Sequence, residues 1–257
     1  DVYKRQLYYD VNCEGTKNVL KKMDEMGVKN LIFTSSVAVY GLNKNNPDEN
    51  HEIDPFNHYG KSKWEAEKII REWYESDKEQ KSVVIIRPTV IFGERNRGNV
   101  YNLLKYISDG KFIMVGSGQN KKSMAYVGNV VQFIIQNIEK SKKSYNIYNY
   151  SDKPDYNMLD LTKFIENKMK IKTLGLKIPY KIGLMIGKIF DIISFILKKK
   201  LPISYVRVKK FCATTQFNSS KAHKIFKPPY TIDDGLEKTL DHEFIYPKED
   251  DVLFYSE

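Results

Sequence analysis

A tyrosine four residues ahead of a lysine can make a base. Residues four apart lie on one face of a helix, so the two side chains stand together. A neighbouring ammonium favours phenolate and draws a tyrosine down from about 10. The phenolate can then take a proton from a hydroxyl while the carbon that bears it is oxidised. The spacing alone selects nothing here. With 18 tyrosines in 257 residues, it occurs at Tyr40/Lys44, Tyr59/Lys63, Tyr74/Lys78, Tyr101/Lys105 and Tyr205/Lys209.

The elements around each copy choose among the five. Residues 7–26 carry Leu7, Val11, Val19, Leu20 and Met23 near helical spacing, and Gly27 stands where a helix C-cap is expected. Residues 30–35 (NLIFTS) read as a short buried strand. A polar stretch with Pro47 and Pro55 reads as a loop, and residues 58–75 as a long helix. Residues 82–88 (SVVIIRP) read as a second buried, β-branched strand. Helices alternating with continuous apolar strands predict a parallel α/β sheet. Further on, helices are expected over 99–108 and 129–139, and strands over 112–115, 124–127 and 145–150. Helices predominate from Tyr156. Tyr59/Lys63 is the copy that opens the helix between the two buried strands.

Composition bounds the partners. The chain has 42 basic and 32 acidic residues, a net charge of +10. Such a surface favours nucleotide diphosphates, acidic membranes or nucleic acid. No basic stripe is interleaved with aromatics, and no nucleic-acid motif occurs, so nucleic acid is not an expected partner. A biased base composition in the source genome accounts for the abundant lysine equally well. Cys13 and Cys212 have neither metal-ligand nor disulfide-framework spacing. That fits a reducing, cytoplasmic location and no metal. Residues 178–197 are apolar except for Lys181, Lys188 and Asp191. The length could span a bilayer, but the interior charges argue against it. Two packed helices in a lobe are the expectation, with a weak membrane-surface contact as the alternative.

In order along the chain stand YYDVNCEGTKNVL, LIFTSSVAVYG, YGKSKWEAE, RPTVIFG, GKFIMVGSGQNKKSMAYV and FNSSKAHKIF. This series resembles the extended short-chain dehydrogenase/reductase family, which contains the nucleotide-sugar epimerases and dehydratases. The resemblance implies an enzyme with a Rossmann-like parallel sheet and a smaller, mostly helical substrate lobe. Residues 1–92 and 124–155 would form the first, and residues 93–123 and 156–257 the second. It implies NAD as cofactor, or NADP, a nucleotide-sugar substrate, and a homodimer for the intact protein. The implied catalytic set is Ser36, Tyr59 and Lys63. Tyr59 is the base, Lys63 tunes it together with an oxidised nicotinamide, and Ser36 holds the reacting oxygen. Taken alone, the serines are merely a polar strand end. Thr34, Ser35, Pro88 and Thr89 join Tyr59 and Lys63 as expected cofactor contacts. Asn99, Arg95, Arg97 and Lys122 join Ser36 as expected contacts to substrate.

Several departures narrow the reading. The family's dehydratases follow the catalytic Ser/Thr with Asp-Glu, whereas Val37 and Ala38 stand here. Neither moves a proton, so hydride and proton transfer alone are left. Lys122 replaces a family arginine, and Val127-Gly128-Asn129 lacks the family's aspartate. No G-x-x-G-x-x-G or G-x-G-x-x-G turn occurs, although a nicotinamide enzyme of this fold needs one for the pyrophosphate. Together with a first residue that is not Met and an unrelated-looking stretch 1–6, this reads as a truncated N-terminus. Roughly 70–90 residues would be absent, from usual βαβ lengths. The chain as given is then expected to bind NAD poorly, to be inactive by itself, and to leave residues 30–35 as an exposed sheet edge. Epimerisation of a nucleotide sugar through a transient ketone is the leading expectation. One-way reduction or oxidation of a sugar or steroid-like substrate is the first rival, and a non-catalytic binding protein of the same fold is the second.

Overall fold

The structure is a computed structural model and describes residues 2–42, 44–139, 143–199, 201, 203–247 and 252–254. It opens with α1 (Val2–Tyr9), a π-helical turn (Asp10–Glu14) and α2 (Gly15–Glu25), followed by β1 (Asn30–Thr34). A short 3-10 turn (Val37–Tyr40) leads through a loop to α3 (His58–Glu75). Then come β2 (Ser82–Pro88), β3 (Val90–Phe92), α4 (Asn99–Ser108), β4 (Met114–Val115), β5 (Lys121–Tyr126) and α5 (Val127–Glu139). Next are β6 (Tyr145–Tyr150), β7 (Asp152–Asn157), α6 (Met158–Met169), β8 (Lys177–Ile178) and α7 (Tyr180–Leu197). The helices α8 (Tyr205–Cys212), α9 (Ser220–His223) and α10 (Ile232–Leu240) follow, with a final π turn (Asp241–Ile245).

The chain divides into two compact units. The first is Asp1–Ile91, Ser123–Lys153 and Gln216–Asp233; the second is Phe92–Lys122, Pro154–Thr215 and Asp234–Glu257. The first holds a parallel sheet in the order β1-β2-β6. Every residue of β2 is buried, as its apolar run predicts for a central strand. Side chains alternate across a strand, and β2 shows it. Val83 and Ile85 pack with Leu20, Ile70 and Trp73 from α2 and α3. Val84 and Ile86 pack with Phe133 of α5 and with Ala222 and Phe226. Helices therefore cover both faces, the layered arrangement of a doubly wound α/β fold. β1 forms one edge of this sheet, with both of its ends exposed.

The second unit contains the parallel pair β4–β8, with Met114 opposite Lys177. A further three-stranded sheet runs β3-β5-β7.

Three expectations need correction. Residues 216–233, expected in the second lobe, belong to the first unit, because Ala222 and Phe226 complete its core and Ser219 bonds to the Ser151 hydroxyl at 2.9 Å. Within residues 178–197, Ile178 ends β8 and residues 180–197 form one helix rather than two. Gly183 and Gly187, four apart, lie on one face and let α8 approach; a Cβ on Gly187 would come within 2.7 Å of the Tyr205 nitrogen. Of the apolar residues marking the first helix, only Leu20 is buried, while Leu7, Val11 and Val19 are exposed. The π turn adds a residue to its turn and shifts the facing side chains, burying Cys13 instead.

Candidate active site

Ser36 stands two residues beyond β1. It is extended, and its Oγ caps the 3-10 turn by accepting from the Ala38 nitrogen at 3.1 Å. Asn57 caps α3 in the same way, accepting from the Gly60 nitrogen at 2.8 Å. That cap sets the start of the helix and places Tyr59 in its first turn. Gly60 lets the two capped segments meet: a Cβ there would run into the Ala38 carbonyl oxygen. The result brings the Ser36 side chain beside the Tyr59 hydroxyl, where it acts to lower the Tyr59 value. Tyr8 closes against Tyr59 edge-to-face, with ring centroids 5.7 Å apart.

Lys63 stands one turn on, as the spacing requires, but its ammonium donates to the Thr34 carbonyl at 3.1 Å and lies over the Phe33 ring. Burial pushes the Tyr59 hydroxyl above its ordinary value; the Ser36 side chain works against that, and Tyr8 adds to it. Lys63 is not among the groups that shift Tyr59 in this geometry. Burial also pulls Lys63 below its ordinary value, opposed by the charge of Glu67.

Glu67 is the residue that local spacing does not reveal. It lies four beyond Lys63 on α3 and binds Arg87 twice, through Nε at 2.9 Å and Nη2 at 2.5 Å. It also accepts from the Ser35 hydroxyl. Burial works against the Arg87 charge, but the bonds to Glu67 outweigh it and hold the guanidinium above its ordinary value. Arg87 donates further to the Tyr40 hydroxyl at 2.7 Å, which donates to Asn149 Oδ1 at 2.8 Å. The network joins β1, the 3-10 turn, α3, β2 and β6 behind Ser36 and Tyr59. Its signal was a single arginine in an otherwise apolar buried strand, which demands an anionic partner. From the π turn, Asn12 donates to the Ser62 hydroxyl at 2.9 Å, and Ser62 donates to the Tyr59 carbonyl at 2.9 Å.

The sequence-derived residues divide between the units. Thr34, Ser35, Ser36, Tyr59, Lys63, Pro88 and Thr89 all belong to the first unit. The segments after β1 and β2 lie at the carboxyl ends of the strands, where sheets of this kind bind ligands. Ser35 donates inward to Glu67. Thr89 Oγ1 is buried and has no hydrogen-bond partner among the described residues. A buried hydroxyl of that kind fits a contact to a bound group.

Asn99, Arg95, Arg97 and Lys122 belong to the second unit. Asn99 is exposed in the first turn of α4. Arg97 is paired with the buried Glu243 and lies 4.1 Å over the Tyr101 ring. Glu243 also accepts from the Arg95 nitrogen at 2.6 Å. The Lys122 ammonium donates to the carbonyls of Lys210 at 3.0 Å and Ala213 at 2.6 Å. Burial lowers it to about 8, against a small opposing influence of Cys212. Arg97 and Lys122 are therefore committed to protein partners in this geometry.

The sequence model of the 3-beta hydroxysteroid dehydrogenase/isomerase family matches residues 1–177. The chain belongs to that family. This is a branch of the extended short-chain dehydrogenase/reductases, as the ordered motifs implied. The chain is 58% identical over 258 residues to an N-acetyl-alpha-D-glucosaminyl-diphospho-ditrans,octacis-undecaprenol 4-epimerase of Escherichia coli O157:H7, covering 100% of this chain and 78% of that protein. It is 31% identical over 242 residues to a UDP-glucose 4-epimerase of Vibrio cholerae, covering 91% and 69%. Among solved structures it resembles a UDP-glucuronic acid 4-epimerase from Bacillus cereus in complex with NAD. The TM-score is 0.71 and the identity 18%, over 93% of this chain and 69% of that one. At that identity the likeness speaks for the fold.

Proposed function

We propose that the protein inverts a secondary hydroxyl of a sugar carried on a diphosphate, with NAD as redox partner and a polyprenyl lipid as the carrier. What carries the reading is the placement of Ser36 beside Tyr59, with Lys63 one turn on, in a chain 58% identical to an epimerase of a lipid-linked sugar. NAD, when bound, supplies the redox chemistry by accepting a hydride and giving it back. Ser36 Oγ holds the reacting oxygen. Tyr59 Oη takes the hydroxyl proton as the carbinol becomes a ketone, and returns it when the carbinol re-forms. Tyr59 lies at the N-terminal end of α3, where the helix dipole favours the phenolate that this step needs. Lys63, Thr34 and the buried Thr89 hydroxyl would hold the nicotinamide half. Val37 and Ala38 offer no acid or base beside Ser36, so elimination of water gains no support.

The test is turnover by the protein expressed together with any coding sequence upstream of Asp1. N-acetylglucosaminyl-diphospho-undecaprenol should yield its 4-epimer with no net NADH, and Tyr59→Phe should lower the rate by roughly 10²–10⁴-fold. Stoichiometric NADH would instead select a one-way oxidoreductase. Turnover of UDP-sugars alone would remove the lipid carrier from the reading.

A further inference from the structure

The helix α7 has two unlike faces. Gly183 and Gly187 are buried on one; a Cβ on Gly183 would strike the Val115 side chain, and one on Gly187 the backbone of α8. On the opposite face, Ile182, Met185, Ile189, Ile192, Ile193 and Ile196 fall within an arc of about 100° at 3.6 residues per turn. These six are 38–69% exposed, and Phe195 at the end of the helix is 85% exposed. Contiguous exposed apolar surface of this kind marks an interaction site.

Charge identifies what it meets. Lys181 and Lys188 border one side of the arc, and Lys198 and Lys199 follow the helix. Asp191 is turned to the protein, accepting from the Tyr205 nitrogen at 3.1 Å. Residues 170–214 contain eleven Lys and Arg against that one acid, a surplus equal to the +10 of the whole chain. A second copy docked on this face would bring like charge against like charge. Among the described residues no helix is long and apolar enough to cross a membrane.

We propose that α7 lies in the headgroup region of an anionic lipid surface, apolar arc inward, with the lysines on phosphate groups. Interfacial helices join an apolar face to basic flanks in this way. The proposal rests on the reading above in one respect: a polyprenyl-linked substrate resides in such a surface, and α7 would keep the enzyme beside it.

Flotation with vesicles tests the contact without turnover. The full-length protein should float with phosphatidylglycerol/phosphatidylethanolamine vesicles, and less with phosphatidylcholine. Ile189→Glu/Ile196→Glu should lower the bound fraction by roughly tenfold or more, since charge at the apolar boundary opposes insertion. Lys181→Glu/Lys188→Glu should lower it less, with the difference vanishing at high salt. Circular dichroism and turnover of a short-chain, water-soluble sugar diphosphate should stay unchanged in both variants. No flotation of the wild type overturns the proposal, as does equal flotation of the isoleucine variant. So does a dimer in sedimentation that the isoleucine variant splits, which would show a second copy covering the face. Flotation as expected with no turnover of any sugar diphosphate would count against the proposed function and leave the lipid contact standing.

Discussion

At the scale of residues, the site turns on which neighbour controls Tyr59. Spacing alone points to Lys63, but the Lys63 ammonium is directed at the Thr34 carbonyl and the opposing influence on the buried phenol comes from Ser36. Difference titration of the wild type against Tyr59→Phe, followed by phenolate absorbance, should place Tyr59 above the ordinary tyrosine value of 10.0. Ser36→Ala should push it higher still, and Lys63→Met should move it little. A large rise in Lys63→Met and none in Ser36→Ala would restore the lysine as the tuning group. The linkage has a definite sign. A tyrosine raised in the folded state ionises first when unfolded, so its contribution is intact below about 10 and is lost as pH rises through the folded value.

At the scale of elements, α3 is held as a unit. Tyr59, Lys63 and Glu67 descend one helix face at intervals of four, and the last of them anchors that face to β2 through Arg87. The pair is buried, with side chains 2% and 1% exposed. Removing one partner of a buried pair leaves an uncompensated charge. Glu67→Gln should therefore cost about 3–5 kcal/mol in chemical denaturation. Arg87→Met/Glu67→Leu should cost clearly less than Glu67→Gln, because no charge is stranded. If the double variant were as unstable as the single, neutral packing defects would account for the loss instead. This part of the molecule was only half legible. Strands β1 and β2 and helix α3 showed in the sequence because apolar periodicity is local. The Arg87–Glu67–Ser35 network did not, because its partners are brought together from three separate elements. The capped 3-10 turn behind Ser36 and the strand β7 were missed for a related reason: four residues, or a strand carrying Lys153, Pro154 and Asp155, present no apolar period to read.

At the scale of the whole molecule, the sum of charge was legible and its placement was overlooked. A net +10 was as consistent with a biased genome as with function until its surplus proved to coincide with residues 170–214, around an exposed apolar helix. That coincidence sets two forces against each other in solution. The apolar face of α7 favours self-association, and like charge opposes it. Raising salt shortens the screening length from about 30 Å at 0.01 M to about 8 Å at 0.15 M, which weakens the repulsion and leaves apolar attraction in place. Raising pH toward the isoelectric point of about 9.2 removes the charge itself. Static light scattering of the purified chain should therefore rise along both routes, with salt at pH 7 and with pH at low salt. Association held by ion pairs would respond oppositely to salt, weakening as it is added. The same salt series should loosen the protein from anionic vesicles, because there the lysines attract. Scattering that rises while vesicle binding falls is the response expected when one basic, apolar surface is repelled by its own kind and drawn to anionic lipid.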